Sequence, residues 1–179
     1  MCIRDRSYIT GDELLSPLQK AIGDASNSAS LSAFDASLIL QFISGNLDGI
    51  PIDNSDFFIA NGDLYNPEIL GEVGEIVTIP ISIENSNNLY SFSISFTYNN
   101  VQLESGSVYL GTISDYGFLV ESSVSDSGSI IVSGASPTSI DGDLDLFTMY
   151  FIPTEFENGQ LEIECNQIML NEVTQEQSF

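Results

Sequence analysis

The sequence predicts a mainly-β sandwich preceded by a short helical segment. Three observations carry this. From residue 57 onward apolar residues recur every second position, in short runs parted by Gly, Asn, Ser and Asp clusters. Between residues 12 and 45 the apolar spacing is instead that of a helix. Hydrophobic residues make up 42% of the chain, enough to build a core despite a net charge of −23.

The 179 residues hold 26 acids, 3 bases and no histidine. The bases are Arg4, Arg6 and Lys20, so residues 21–179 carry no basic side chain while holding all the acids but Asp5, Asp12 and Glu13. A surface for nucleic acid or anionic lipid needs Lys or Arg to replace counterions, so those partners are excluded. Without histidine, Ser-His-Asp and Cys-His nucleophiles lack their base and zinc lacks imidazole. Carboxylate chemistry remains: hard-cation binding, two-carboxylate glycoside hydrolysis, or no catalysis. No apolar run reaches the ~18 residues of a membrane span.

Residues 1–6, MCIRDR, can be written ATG TGT ATA AGA GAC AGA and read as a sequencing-adapter artefact fused to an environmental gene fragment. They are set aside. Cys165 is then the remaining thiol, which precludes an internal disulfide, and its alternation with Leu161 and Ile163 marks it as a buried strand cysteine.

Residues 12–22 place Leu14, Leu15, Leu18 and Ile22 at helical spacing, with Pro17 weakening the first turn. Residues 23–45 read GDASNSASLSAFDASLILQFISG. Ser32 and Asp35 make a capping-box start, Phe34, Leu38, Ile39 and Phe42 form the apolar stripe, and Gly45 supplies the C-cap. The preceding loop has EF-hand spacing: with Asp24 at position one, Ser26, Ser28, Ser30 and Ser32 fall at three, five, seven and nine and Asp35 at twelve. This stretch resembles one repeat of a dockerin domain. Ser26, Ser28 and Ala29 stand where that family usually carries Asp or Asn, Asp or Asn, and Gly, so the resemblance implies weak Ca2+ binding by Asp24, Ser26, Ser28, Ser30 and Asp35, or none. Ala33 and Phe34 replace the hydroxyl pair with which many dockerins read their partner. The segment is therefore a partial dockerin-like repeat over residues 7–46, followed by a linker at 47–55, LDGIPIDNS.

In the main domain, residues 56–179, Val77, Ile79, Ile81 and Ile83 alternate with Thr78, Pro80, Ser82 and Glu84. Tyr90, Phe92, Ile94, Phe96 and Tyr98 alternate with Ser91, Ser93, Ser95 and Thr97. Both runs predict half-buried antiparallel strands, with Pro80 on the outer face of an edge strand or at a bulge. Further strands are expected at 57–60, 64–65, 107–111, 117–124, 129–135, 144–152 and 160–170, with turns at 85–88, 125–128 and 157–159. LDLFTMYFI at 144–152 reads as a central strand covered on both faces.

The succession of the V-x-I-P-I-x-I strand, a tyrosine-led strand ending in Tyr98-Asn99, IVSGAS at 131–136, GDLDLFTMYFIP and a closing IMLNEV resembles a cohesin domain over about residues 56–176. The resemblance implies a nine-stranded jelly-roll β-sandwich that is non-catalytic and works in secreted or cell-surface assemblies for polysaccharide breakdown. It also implies that one sheet, from residues 89–98, 118–124, 129–135 and 160–170, presents a flat face to a dockerin-bearing partner protein. The outward residues would be Ser91, Ser93, Ser95, Thr97, Glu121, Ser123, Ile131, Ser133, Glu162 and Glu164. Such a hydroxyl-rich, acidic face favours a partner that supplies Lys or Arg.

Asp141, Asp143 and Asp145 read as a solvated turn rather than a calcium site. Glu162 and Glu164 point the same way from one strand, not across a sugar cleft, which argues against glycoside hydrolysis. The alternatives are a carbohydrate-binding module of similar fold, for which Tyr109 and Tyr116 are the candidate platforms in a chain without tryptophan, and a structural spacer.

Overall fold

The computed structural model describes residues 15–51, 61–65, 73–98, 101–102, 108–125, 128–153 and 163–174. The helices are α1 (Pro17–Gly23) and α2 (Ala33–Ile43). The strands are β1 (Asn61–Tyr65), β2 (Val77–Tyr98), β3 (Val101–Gln102), β4 (Val108–Leu110), β5 (Leu119–Ser125), β6 (Ser129–Pro153), β7 (Ile163–Leu170) and β8 (Val173–Thr174), with a 3-10 turn at Thr112–Tyr116.

Two long antiparallel strands organise the molecule. The first part of β2 pairs with the second part of β6, from Val77↔Phe151 to Ile83↔Leu144, and the second part of β2 pairs with the first part of β6, from Ser91↔Ala135 to Thr97↔Ser129. β1 and β4 extend the first half, and β5 and β7 extend the second. The halves face each other across one core: the Phe147 ring packs 6.3 Å from Phe92 and 6.3 Å, edge-on, from Phe96. Ile81, Ile83, Ile94, Ile130, Val132, Leu146 and Leu170 fill the rest. This is the mainly-β sandwich that period-two patterning predicts.

Residues 85–88 are not a turn. β2 runs through them with register shifts on both sides, and Asn85 and Asn88 take left-handed backbone (φ 53° and 59°), which asparagine tolerates better than most residues. The amides freed by these bulges are met from β6. Asn88 N donates to Asp141 Oδ1 at 2.6 Å and Asn85 N to Asp143 Oδ1 at 2.9 Å, while the Ser82 hydroxyl donates to Asp145 Oδ1 at 3.0 Å. The acidic triplet stitches two strands.

The expectation of a doubly covered strand at 144–152 is corrected in the same way. Ile81 pairs with Phe147 and Ser82 with Asp145, so Leu146 is an extra residue and the inward phase switches from Leu144 and Leu146 to Phe147, Met149 and Phe151. Thr148 and Tyr150 lie on the other side, half-buried. Pro80 is exposed beside the end of the β1 pairing, which reaches Ser82. Expected strands and turns at 57–60 and 157–159 lie outside the described residues.

Gly134 is required by packing: a Cβ there would fall 2.8 Å from Phe92 Cζ. Gly128, at φ 82°, closes the β5–β6 hairpin with its carbonyl accepting from Tyr98 N at 2.9 Å.

α1 begins at Pro17 as its first residue, where a missing N–H costs nothing, capped by Ser16 and Gln19. The expected stripe is not buried: Leu15 is, but Leu18 and Ile22 are exposed. α2 has the predicted Ser32–Asp35 capping box, and Gly45 follows it at φ 78°. Its Phe34 and Leu38 form a second apolar cluster with Ala25, joined by Ile39, Leu47, Ile50 and Tyr90. Tyr90, expected in phase with the main core, packs instead toward this helix because the bulge before Ser91 shifts its phase.

Candidate docking face and the N-terminal loop

β5, the first part of β6, the second part of β2 and β7 lie side by side. Their register aligns cross-strand rows. One row is Glu121, Ser133, Ser93 and Met169; the next is Ser123, Ile131, Ser95 and Gln167; the third is Ser125, Ser129, Thr97 and Glu164. The alternate residues Val132, Ile94, Phe92 and Ile130 belong to the core, so these rows form the opposite face. Sequence alternation had placed Ser93, Ser95, Thr97, Glu121, Ser123, Ile131, Ser133 and Glu164 together, and the register does the same.

Ser133 keeps its place in the row but is almost wholly buried against Ser93, and two expected members are not placed on the face. Ser91 is fully buried: its amide donates to Asn171 Oδ1 at 3.1 Å and its carbonyl accepts from Asn171 N at 2.8 Å. It belongs to the end of the sheet under the chain's closing turn rather than to an open face. Glu162 lies outside the described residues. Counting by twos from Glu164 would also misplace the end of β7. A register shift between Ser95 and Phe96 makes Asn166 a bulge, so Gln167 and Met169 join the face and Ile168 turns inward. Met169 and Gln167 were missed because strand phase across a bulge has no signature in residue type; exposed Leu119 lies in unbroken register with Glu121, where alternation alone points to it.

The face is hydroxyl-rich. Ser93 and Ser133 hydroxyls lie 2.8 Å apart across β2 and β6, Ser125 and Ser129 hydroxyls 2.7 Å across the hairpin, and Thr97 Oγ1 donates to Asn166 Oδ1 at 3.3 Å. Glu121 and Glu164 are its charges among the described residues. Tyr109 and Tyr116 are exposed, as expected, but Tyr109 stands edge-on to Tyr150 at 4.8 Å.

α2 lies at the end of this sheet. Ser37 Oγ donates to the Ser136 carbonyl at 2.6 Å, Gln41 Nε2 to Ser37 Oγ at 3.1 Å, and Asn46 Nδ2 to the Pro137 carbonyl at 3.3 Å. In the loop before α2, the Asp24 carboxylate accepts from Ser28 N and Ala29 N, both at 2.9 Å. Asp35, fully buried, accepts from Ser26 N at 2.9 Å and Ser32 N at 2.7 Å. The Ser30 hydroxyl is exposed and lies 3.1 Å from that of Ser28. Glu172, from the turn after β7, enters the loop: its Oε1 accepts from Ser26 Oγ at 2.9 Å, Ser28 Oγ at 3.1 Å and Ser32 Oγ at 2.9 Å. Burial pushes the Asp35 and Glu172 carboxyls up from their ordinary values, outweighing the hydrogen bonds donated to them. The charge of Asp24 beside Asp35, and of Asp35 beside Glu172, pushes the same way. Among the described residues no group of three or more His, Cys, Asp or Glu is placed to hold a metal ion, and no helix is long and apolar enough to cross a membrane.

A family model described as "Cohesin domain" matches residues 67–162. None of the curated proteins matches the chain. Among solved structures, a non-cellulosomal cohesin from Archaeoglobus fulgidus is similar at 25% identity and TM-score 0.45, over 56% of this chain and 71% of that one. A cohesin module from a Clostridium perfringens family 33 glycoside hydrolase is similar at 18% identity and TM-score 0.49, over 63% and 83%. A Coh-OlpA–Doc918 type I cohesin–dockerin complex from Clostridium thermocellum is similar at 15% and 0.49, over 62% and 87%.

Proposed function

The chain belongs to the cohesin family, a non-catalytic protein–protein interaction module of cohesin–dockerin type, and from that premise we propose that the sheet of β5, β6, β2 and β7 is its docking face. The observation that carries this is the register. It puts Ser93, Ser95, Thr97, Ser133, Glu121 and Glu164 on one non-core side of four adjacent strands. Serine hydroxyls and carboxylates bind through hydrogen bonds and charge, so the partner is a dockerin-bearing or other surface protein that brings Lys or Arg to a chain of net charge −23. The work is extracellular or at a cell surface, in an assembly that degrades polysaccharide. The nine-stranded jelly roll of the family is the finer reading of the sandwich, with β2 and β6 each serving both layers. The loop and helix at 24–45 are a worn dockerin-like repeat, and with serine at 26, 28 and 30 they take calcium weakly at most.

Pull-down against dockerin-bearing proteins tests the face. Ser93→Arg with Ser95→Arg is expected to abolish capture while leaving the fold intact by circular dichroism; undiminished capture by the double variant would remove the face. Retention in a glycan-containing gel without protein capture would favour a carbohydrate-binding module, and neither result a spacer.

A further inference from the structure

The N-terminal loop and the closing turn of the sandwich meet 140 or more residues apart in sequence, through one oxygen. Ser26, Ser28 and Ser32 all aim their hydroxyls at Glu172 Oε1. The two loop carboxylates are held by amides, Asp24 by those of Ser28 and Ala29 and Asp35 by those of Ser26 and Ser32, and they stand farther from the hydroxyls than Glu172 does: Ser26 Oγ is 3.4 Å from Asp24 Oδ1 and Ser32 Oγ 3.2 Å from Asp35 Oδ2, against 2.9 Å for each to Glu172 Oε1. A serine hydroxyl carries one proton and can turn it toward a carboxyl oxygen. The chain itself supplies that oxygen at the centre of the loop, from Glu172. A carboxyl oxygen accepts from more than one donor, and three share this one.

We propose that Glu172 and the serine loop form a latch that fastens α2 to the end of the docking sheet without a metal ion. Closed, it keeps Phe34 and Leu38 against Tyr90 and lets Ser37 and Asn46 reach the carbonyls of Ser136 and Pro137. The accessible face then stops at the row of Leu119, Ala135 and Ser91. Open, it exposes Tyr90, Ser136 and the Asn171 turn to a partner. The latch is a conformational gate on the size of the face, set by contacts within the chain.

Hydrogen exchange on the full chain in EDTA tests this. In the unmodified chain the 33–43 amides are expected to be protected without added calcium. Glu172→Ala should speed their exchange about tenfold, the equivalent of leaving buried hydroxyl donors without their acceptor. Ser26→Ala with Ser28→Ala should do the same while sparing the Ser32 helix cap, and Glu172→Gln, which keeps the acceptor oxygen, should stay near the unmodified rate. The 91–97 and 129–135 amides should not change in any of these. Unchanged helix exchange in Glu172→Ala would overturn the latch. So would helix protection that appears only with calcium, since the contact would then need a metal ion to hold. Equal loss of protection across the sandwich would also overturn it, because the contact would then be part of the common core.

Discussion

The hydroxyls of Ser93 and Ser133 lie 2.8 Å apart across β2 and β6, with Ser133 almost wholly buried. Each is the other's partner. Removing one strands a desolvated hydroxyl, whereas removing both strands none. Ser93→Ala and Ser133→Ala are each expected to cost about 1–2 kcal/mol, and the double variant less than the sum. Urea denaturation of the four-member cycle measures this; strict additivity would mean the hydroxyls do not depend on each other.

Gly134 lies against the Phe92 ring, itself stacked on Phe118 and Phe147. A methyl there has no space and the ring has no free side to move into. Gly134→Ala should destabilise by about 1–3 kcal/mol, the usual cost of overpacking. A urea midpoint equal to that of the unmodified chain would show that the ring yields.

Ala29 holds left-handed backbone at φ 68°, a conformation that costs an L-residue about 1–2 kcal/mol. Ala29→Gly relieves this and loses part of the gain to chain entropy, for a net stabilisation of about 0.5–1 kcal/mol. A lower melting temperature in the glycine variant would contradict the assignment.

Asp35 and Glu172 hold their protons more tightly folded than unfolded, because burial raises both carboxyls above their ordinary 3.8 and 4.5. A raised acid contributes stability that is complete below its unfolded value and is lost as pH rises through its folded value. Raising pH from about 5 to 8 should therefore weaken the unmodified chain more than Glu172→Gln. Parallel pH profiles for the two proteins would sink this expectation.

With 26 acids against 3 bases, the carboxylates repel one another through solvent. Screening shortens that repulsion, the Debye length falling from about 10 Å at 0.1 M salt to 3 Å at 1 M. Melting temperature should rise with sodium chloride across that range; a flat profile would show that the charges are too dispersed to matter.

Much of the proposed docking face was legible because alternation is a local property. Ser93, Ser95 and Thr97 must share a side of any regular strand, and Glu121, Ser123, Ile131 and Ser133 follow on the neighbouring hairpin. Apart from Leu119, each failure falls where a strand is irregular. Ser91 sits beside one register shift, Ile168 beyond the bulge at Asn166, and Leu146 is itself an extra residue. Bulges answer to the twist and crossing of partner strands, which residue type does not encode.

Composition and periodicity alone determined that this chain folds as a β-sandwich, carries a capped helix before it, and lacks the bases for nucleic-acid binding or histidine-dependent catalysis. Those follow from near neighbours and from what side chains are present. Only the tertiary structure decided that Asp141 and Asp143 serve the amides of β2, that Tyr90 belongs to the helix, and that Glu172 fills the serine loop. Each joins groups more than 50 residues apart, and such pairs are chosen when the chain closes on itself and every buried donor and acceptor must find a partner.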